Sequence, residues 1–276
     1  MKKLVATYFS FLSLACFAQQ YKIDSLNVLL SKSKATTTIN LLNQLSEEYN
    51  NLSKAFFLVS RYDSSTKYAE KAILIAKNNN NKKVIAFSYN LIGNNYYSLS
   101  LYEKSLEFQF KALKINEEIN DLEGMAFSFN NIGLSFYRLF QYEKSLENGF
   151  KGLKIYEKLG EKYNIARSYI NIGNTYNGLL ENKKSLDFQF KALKINEEIG
   201  NKFGTTTALI NIGDNYIRLS QFEKASEFIF KGLKISQQIG DKEGVAICNN
   251  NLGEIYIGLK QYNNAAEYFI KAKILC

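Results

Sequence analysis

Five glycines, Gly93, Gly133, Gly173, Gly213 and Gly253, recur along this chain of 276 residues at a fixed interval of 40. Each lies in a related stretch: LIGNNYYSLS from Leu91, NIGLSFYRLF from Asn131, NIGNTYNGLL from Asn171, NIGDNYIRLS from Asn211 and NLGEIYIGLK from Asn251. A strict period of this length restricts the chain to repeat architectures, in which one supersecondary unit is copied and stacked. With 46% hydrophobic and 22% charged residues, the chain is too apolar to stay disordered.

Spacing within a repeat gives the unit. Counting from the glycine, apolar residues fall at −7, −4, −1, +3 and +6; around Gly133 these are Ala126, Phe129, Ile132, Phe136 and Leu139. That is one stripe of an α-helix. After a break at Phe140–Tyr142, Leu146, Phe150, Leu153 and Ile155 mark a second helix, and so short a connection makes the pair antiparallel. Gly160, Gly200 and Gly240 are placed to end second helices as left-handed residues, and Asp121, Asn201 and Asp241 to cap the helices that follow. A mid-helix glycine costs about 1 kcal/mol against alanine, so the repeated one needs a packing reason. Twelve residues on stands Ser105, Ser145, Ser185, Ala225 or Ala265, and two small residues predict a close approach of the paired backbones.

Catalytic chemistry finds little footing. The chain has no histidine, which excludes a histidine base, nucleophile or metal ligand. It shows no phosphate loop, no metal-ligand cluster and no nucleophile–base constellation, so we expect neither an enzyme nor a cofactor or metal site. The N-terminus differs in kind. A basic MKK precedes the apolar LVATYFSFLSLACF, and ACFAQQ offers a cleavage site after Ala18, which together predict a secretory signal peptide over residues 1–18 and a periplasmic or cell-surface protein. No other segment is apolar enough to span a membrane. Of the three cysteines only Cys248 and Cys276 lie beyond the leader, either as free thiols or as a pair across one helical hairpin. The net charge of +9 comes partly from periodic lysines, Lys111, Lys151, Lys191, Lys231 and Lys271. Interleaved with carboxylates on the outer side of the second helices, they read as a solvated face rather than a nucleic-acid surface.

YNLIGNNY (Tyr89, Ile92, Gly93, Tyr96) and YINIGNTY (Tyr169, Ile172, Gly173, Tyr176) resemble the tetratricopeptide pattern W-x2-L-G-x2-Y…A-x3-F…P, with Ala265 and Phe269 supplying the A-x3-F part in the last unit. The chain departs from that pattern at Ser105/Gln109 and Ser185/Gln189, in lacking the closing proline, and in its longer period. It is similar to the long-repeat tetratricopeptide class, including exported N-terminal regions of bacterial sensor kinases and transcription regulators. The resemblance implies an all-α fold, a right-handed α-solenoid of about six antiparallel helix pairs. We expect capping helices over 19–50, then units near 51–86, 87–126, 127–166, 167–206, 207–246 and 247–276. The first of these is degenerate, with Ser53 in place of the glycine.

The resemblance further implies a concave groove lined by the first helices. Opposite the core stripe, at −6, −3, +1 and +4, that groove would hold Asn90, Asn94, Tyr97, Asn130, Tyr137, Arg167, Asn174, Asn177, Asp214 and Asn250. Aromatic bodies beside carboxamides suit a peptide or protein ligand, because an amide both donates to and accepts from peptide backbone. The flanking row Asn131, Asn171, Asn211 and Asn251 serves either bonds between adjacent repeats or the partner. Two functions follow from the resemblance, an exported interaction scaffold or the sensory ectodomain of a larger signalling protein.

Overall fold

The computed structural model describes residues 18–32, 35–58 and 60–275. Apart from Ala18, the expected leader lies outside them, as does Cys276. The described residues are helical throughout, with no strand. Helix α1 covers 18–32. It is followed by α2 (Ala35–Leu58), α3 (Tyr62–Asn78), α4 (Lys82–Ser98), α5 (Tyr102–Glu118) and α6 (Leu122–Arg138). Then come α7 (Tyr142–Leu159), α8 (Lys162–Gly178), α9 (Asn182–Glu198), α10 (Lys202–Arg218), α11 (Phe222–Ile239), α12 (Lys242–Gly258) and α13 (Tyr262–Leu275).

These helices form two compact units, one through Leu139 and one from Phe140. Within each, every helix from α2 onward packs on the next. The first helices also touch one another, α2, α4 and α6 in the first unit and α8, α10 and α12 in the second, so they share a layer. One boundary differs from the spacing-based reading. Helix α2 runs unbroken through position 50, where a cap was expected to meet the first repeat. The first helices open at Lys82, Leu122, Lys162, Lys202 and Lys242, with Leu122, Lys202 and Lys242 directly after the expected caps Asp121, Asn201 and Asp241.

Caps explain why the helices begin and end where they do. The side chains of Asn81, Asp121, Asn201 and Asp241 accept from the backbone N–H three residues on, at 3.0–3.2 Å, satisfying a donor that the helix leaves open. Glu161 makes no such bond. Left-handed residues close the helices: Ser60, Asn80, Ser100 and Asn120 in the first unit, and Phe140, Gly160, Leu180, Gly200, Ser220, Gly240 and Lys260 in the second. At Leu180 the N–H bonds Asn177 O at 3.0 Å and the next N–H, of Glu181, bonds Tyr176 O at 2.9 Å, the Schellman pairing.

The repeat glycine meets the expected backbone twelve residues on, Ser105 O lying 3.3 Å from a Cβ on Gly93 and Ala225 O 3.5 Å from one on Gly213, and a further side chain as well. A Cβ on Gly173 would stand 2.6 Å from Gln189 Nε2, one on Gly93 2.9 Å from Gln109 Cγ, and one on Gly253 2.5 Å from the Phe269 ring. The side chain accommodated is therefore the one sixteen positions on, while the small residue at twelve lets the backbones approach and can bond across: Ser105 Oγ donates to Gly93 O at 2.8 Å. Gln109 is 1% exposed and belongs to a closed polar cluster. Its amide donates to Ser105 Oγ at 2.8 Å and accepts from Ser135 Oγ at 3.0 Å. The departure from the A-x3-F pattern is thus a change from apolar to hydrogen-bonded packing at one core position.

On the outer side, an aromatic from α4, α8, α10 and α12 stacks on one from the helix that follows: Tyr96 on Phe108 at 5.4 Å, Tyr176 on Phe188 at 5.5 Å, Tyr216 on Phe228 at 5.5 Å and Tyr256 on Tyr268 at 5.3 Å. The periodic lysines lie over these rings, Lys111 on Phe108 at 4.6 Å and Lys191 on Phe188 at 4.9 Å. Their ammonium groups pair with Glu107 at 2.5 Å and Asp187 at 2.7 Å one turn earlier. A lysine of this row covers apolar surface with its stem and keeps its head in water.

Candidate binding face

The first-helix layer of each unit carries the residues that the repeat phase selects. In the first unit, Asn90 on α4 and Asn130 on α6 are each 2% exposed, so neither stands open to a ligand. Asn90 instead joins two repeats, donating to Ser128 Oγ at 3.1 Å. Asn94, Tyr97 and Tyr137 are half-buried. Tyr97 meets Tyr102 edge-on at 5.5 Å, and Arg138 Nε donates to the Tyr102 hydroxyl at 3.0 Å with its guanidinium over that ring. Burial pushes the Tyr97 phenol up, opposed by Arg138. Hydrogen bonds to Ser100 and then Arg138 hold the Tyr102 phenol below its usual range, and the Tyr102 hydroxyl in turn raises Arg138. This group of two phenols and a guanidinium sits where the ends of α4 and α6 meet the start of α5.

In the second unit the carboxamides again work between repeats. Asn174 Oδ1 accepts from Gln189 Nε2 at 2.8 Å and from Asn211 Nδ2 at 2.9 Å. Asn177 Nδ2 donates to Asp214 Oδ2 at 2.8 Å, and Arg218 Nε reaches the same oxygen at 3.1 Å. Arg167 is half-buried. Of the flanking row, Asn211 bonds across to the preceding repeat. At α12, which has no later first helix beside it among the described residues, Ile247, Asn250, Glu254 and Ile257 are exposed, Ile247 by 41% and Ile257 by 49%.

The face therefore differs from the expected ladder of free amides. Asn90, Asn174 and Asn177 fix the registration of neighbouring helices. Half-open aromatic and isoleucine side chains remain beside Asn94, Asp214, Asn250 and the arginines Arg138 and Arg218. Tyr102 was missed because it belongs to a second helix. Its signal is the tyrosine that opens α3, α5, α7 and α13. Among the described residues, no cluster of His, Cys, Asp or Glu is placed to hold a metal ion, and no helix is long and apolar enough to cross a membrane.

Residues 204–273 match the sequence model described as tetratricopeptide repeat. A search of the curated proteins returns no match. Among solved structures, the chain is similar to BtubC (BKLC) from P. vanneervenii, with 18% identity and a TM-score of 0.71 over 83% of this chain and 92% of that one. It is similar to a Rap protein complexed with Competence and Sporulation Factor, with 16% identity and a TM-score of 0.68 over 96% of this chain and 85% of the other. It is also similar to a Signal Transduction ATPase with Numerous Domains carrying a tetratricopeptide repeat sensor, from Pyrococcus horikoshii. That match has 20% identity and a TM-score of 0.69, over 91% of this chain but 41% of that protein. At such identities the likeness is one of fold.

Proposed function

We propose that this chain, a tetratricopeptide-repeat protein, is an exported, non-catalytic scaffold that binds a peptide or protein along its first-helix face. One observation carries the reading. In each unit the first helices lie side by side and present aromatic or isoleucine bodies next to amide and charged groups at the same register, half-open to solvent. Such a surface contacts an extended or helical segment through apolar anchors, with polar groups setting its direction. The similar Rap protein, described as complexed with Competence and Sporulation Factor, supports this use of the fold. A second reading, the sensory ectodomain of a larger signalling protein, draws support from the similar ATPase described as carrying a tetratricopeptide repeat sensor.

The test begins with capture of a partner from native extract, followed by titration. Ile257→Asp and Tyr97→Ala are expected to weaken binding about tenfold or more, as loss of a buried anchor does. Lys111→Ala with Lys151→Ala on the outer row is expected to leave affinity within about twofold. Export has its own check. The mature protein begins at Gln19 on this reading, and recovery of intact Met1 from the periplasmic fraction contradicts cleavage.

A further inference from the structure

The repeats themselves show what is missing from the last one. Four residues before each repeat glycine, or before Ser53 in the degenerate unit, stand Tyr49, Tyr89, Phe129, Tyr169 and Leu209. Three of these place a ring against the aromatic of the second helix: Tyr49 to Tyr68 at 6.1 Å, Tyr89 to Phe108 at 6.0 Å and Tyr169 to Phe188 at 5.8 Å. The Tyr169 hydroxyl also donates to Glu157 Oε1 at 3.1 Å on the preceding second helix.

In the last repeat the position is Asn249. It is 5% exposed and turns its amide back onto its own helix, donating to Val245 O at 2.9 Å. A cleft of about 370 Å3 opens there, lined by Leu233, Gln237, Asn249, Tyr268, Lys271 and Ile274. That volume is within the range of ligand pockets, roughly 300–1,000 Å3. Gln237 stands in the register of Glu157, and Tyr268 in that of Phe188. The Tyr268 ring is stacked on Tyr256 at 5.3 Å and carries the Lys271 ammonium over it at 4.6 Å, as Phe188 carries Lys191 at 4.9 Å beside Tyr169.

We propose that this cleft binds a para-hydroxyphenyl group, which takes the place that the Tyr169 side chain fills two repeats earlier. The ring meets Tyr268 tilted, as Tyr169 meets Phe188 at 47°, between Leu233 and Ile274, and the hydroxyl meets the Gln237 amide. The site belongs to α11, α12 and α13 and uses none of the first-helix residues assigned to the peptide, so it stands or falls independently of that function. The group is either a free phenol or the tyrosine side chain of a partner.

The experiment titrates the full chain with p-cresol and follows the Tyr268 ring resonances by NMR. A saturable shift is expected for the unmodified protein. Asn249→Tyr, which copies Tyr169, is expected to abolish it. Asn249→Leu copies Leu209, keeps the test valid if the tyrosine variant packs poorly, and is expected to abolish it too. Gln237→Leu is expected to weaken p-cresol about fivefold while leaving toluene unchanged, the signature of one lost hydrogen bond. Acetylated Gly-Tyr-Gly amide, with Gly-Ala-Gly amide as control, separates the sources. Tighter binding of the tyrosine peptide than of p-cresol assigns the site to a protein side chain, and binding of p-cresol alone assigns it to a small phenol. Absence of any saturable Tyr268 shift with either probe overturns the proposal, as does a shift that persists unchanged in both Asn249 variants.

Discussion

Two buried residues carry the most specific consequences at the residue scale. Gln189 is fully buried and bonds Ile170 O and Asn174 Oδ1, and the space beside it exists because position 173 has no Cβ. Gly173→Ala therefore displaces the Gln189 amide from both acceptors and is expected to cost about 1–3 kcal/mol, read from urea denaturation. Gln189→Leu in that background should recover part of the loss, since removing the polar group removes its unmet demand. Cys248 is fully buried at the register where earlier repeats carry Ser88, Ser128 and Ser168. Burial pushes its thiol up to about 12, with Asp241 adding to the effect. A thiol raised above its unfolded value of about 8.5 leaves stability untouched below that pH and lowers it above, by up to about 1.4 kcal/mol per pH unit. Cys248→Ser is expected to unfold with a shallower pH dependence than the parent between pH 8.5 and 10.5. Equal slopes would show that the thiol ionises freely in the native state.

The helical pairs were legible at the element scale, because apolar spacing and, at Asn81, Asp121, Asn201 and Asp241, caps agree. Asp121 was placed as a cap from sequence and accepts from Gly124 N at 3.1 Å. Asp121→Ala is expected to cost about 1 kcal/mol, with hydrogen exchange accelerating first at the start of α6. The turns were less legible. Glycine marks a left-handed residue plainly, but Leu180 takes φ 62° and is 72% exposed, with nothing in its type to announce it. Leu180→Gly is expected to stabilise the second unit by about 0.5–1 kcal/mol, the left-handed strain relieved less the entropy that glycine adds to the unfolded chain. A lower melting temperature would contradict that assignment. The asparagines misled for a related reason. A position opposite the core stripe of one isolated helix was taken as open, yet Asn90 and Asn174 meet the neighbouring repeat there. Helical periodicity describes one helix, whereas the exposure of these side chains is decided by how closely the next first helix packs.

The 40-residue period fixes the architecture of the whole molecule more firmly than its use. Each unit is a stack in which helices touch near neighbours, so within each unit the first helices form one layer and their exposed groups act together. The outer lysines, although periodic, are largely matched by acids one turn away on their own helices, and exposed pairs of this kind contribute little energy. Surface use should accordingly divide between the two helix layers, with the partner on the first. Hydrogen–deuterium exchange of the captured complex against the free protein tests this most directly. The account predicts slowed exchange at side-by-side first helices, α4 with α6 or α8 with α10 and α12, and unchanged exchange along α5 and α9. Protection confined to the second helices and their lysine row would contradict it.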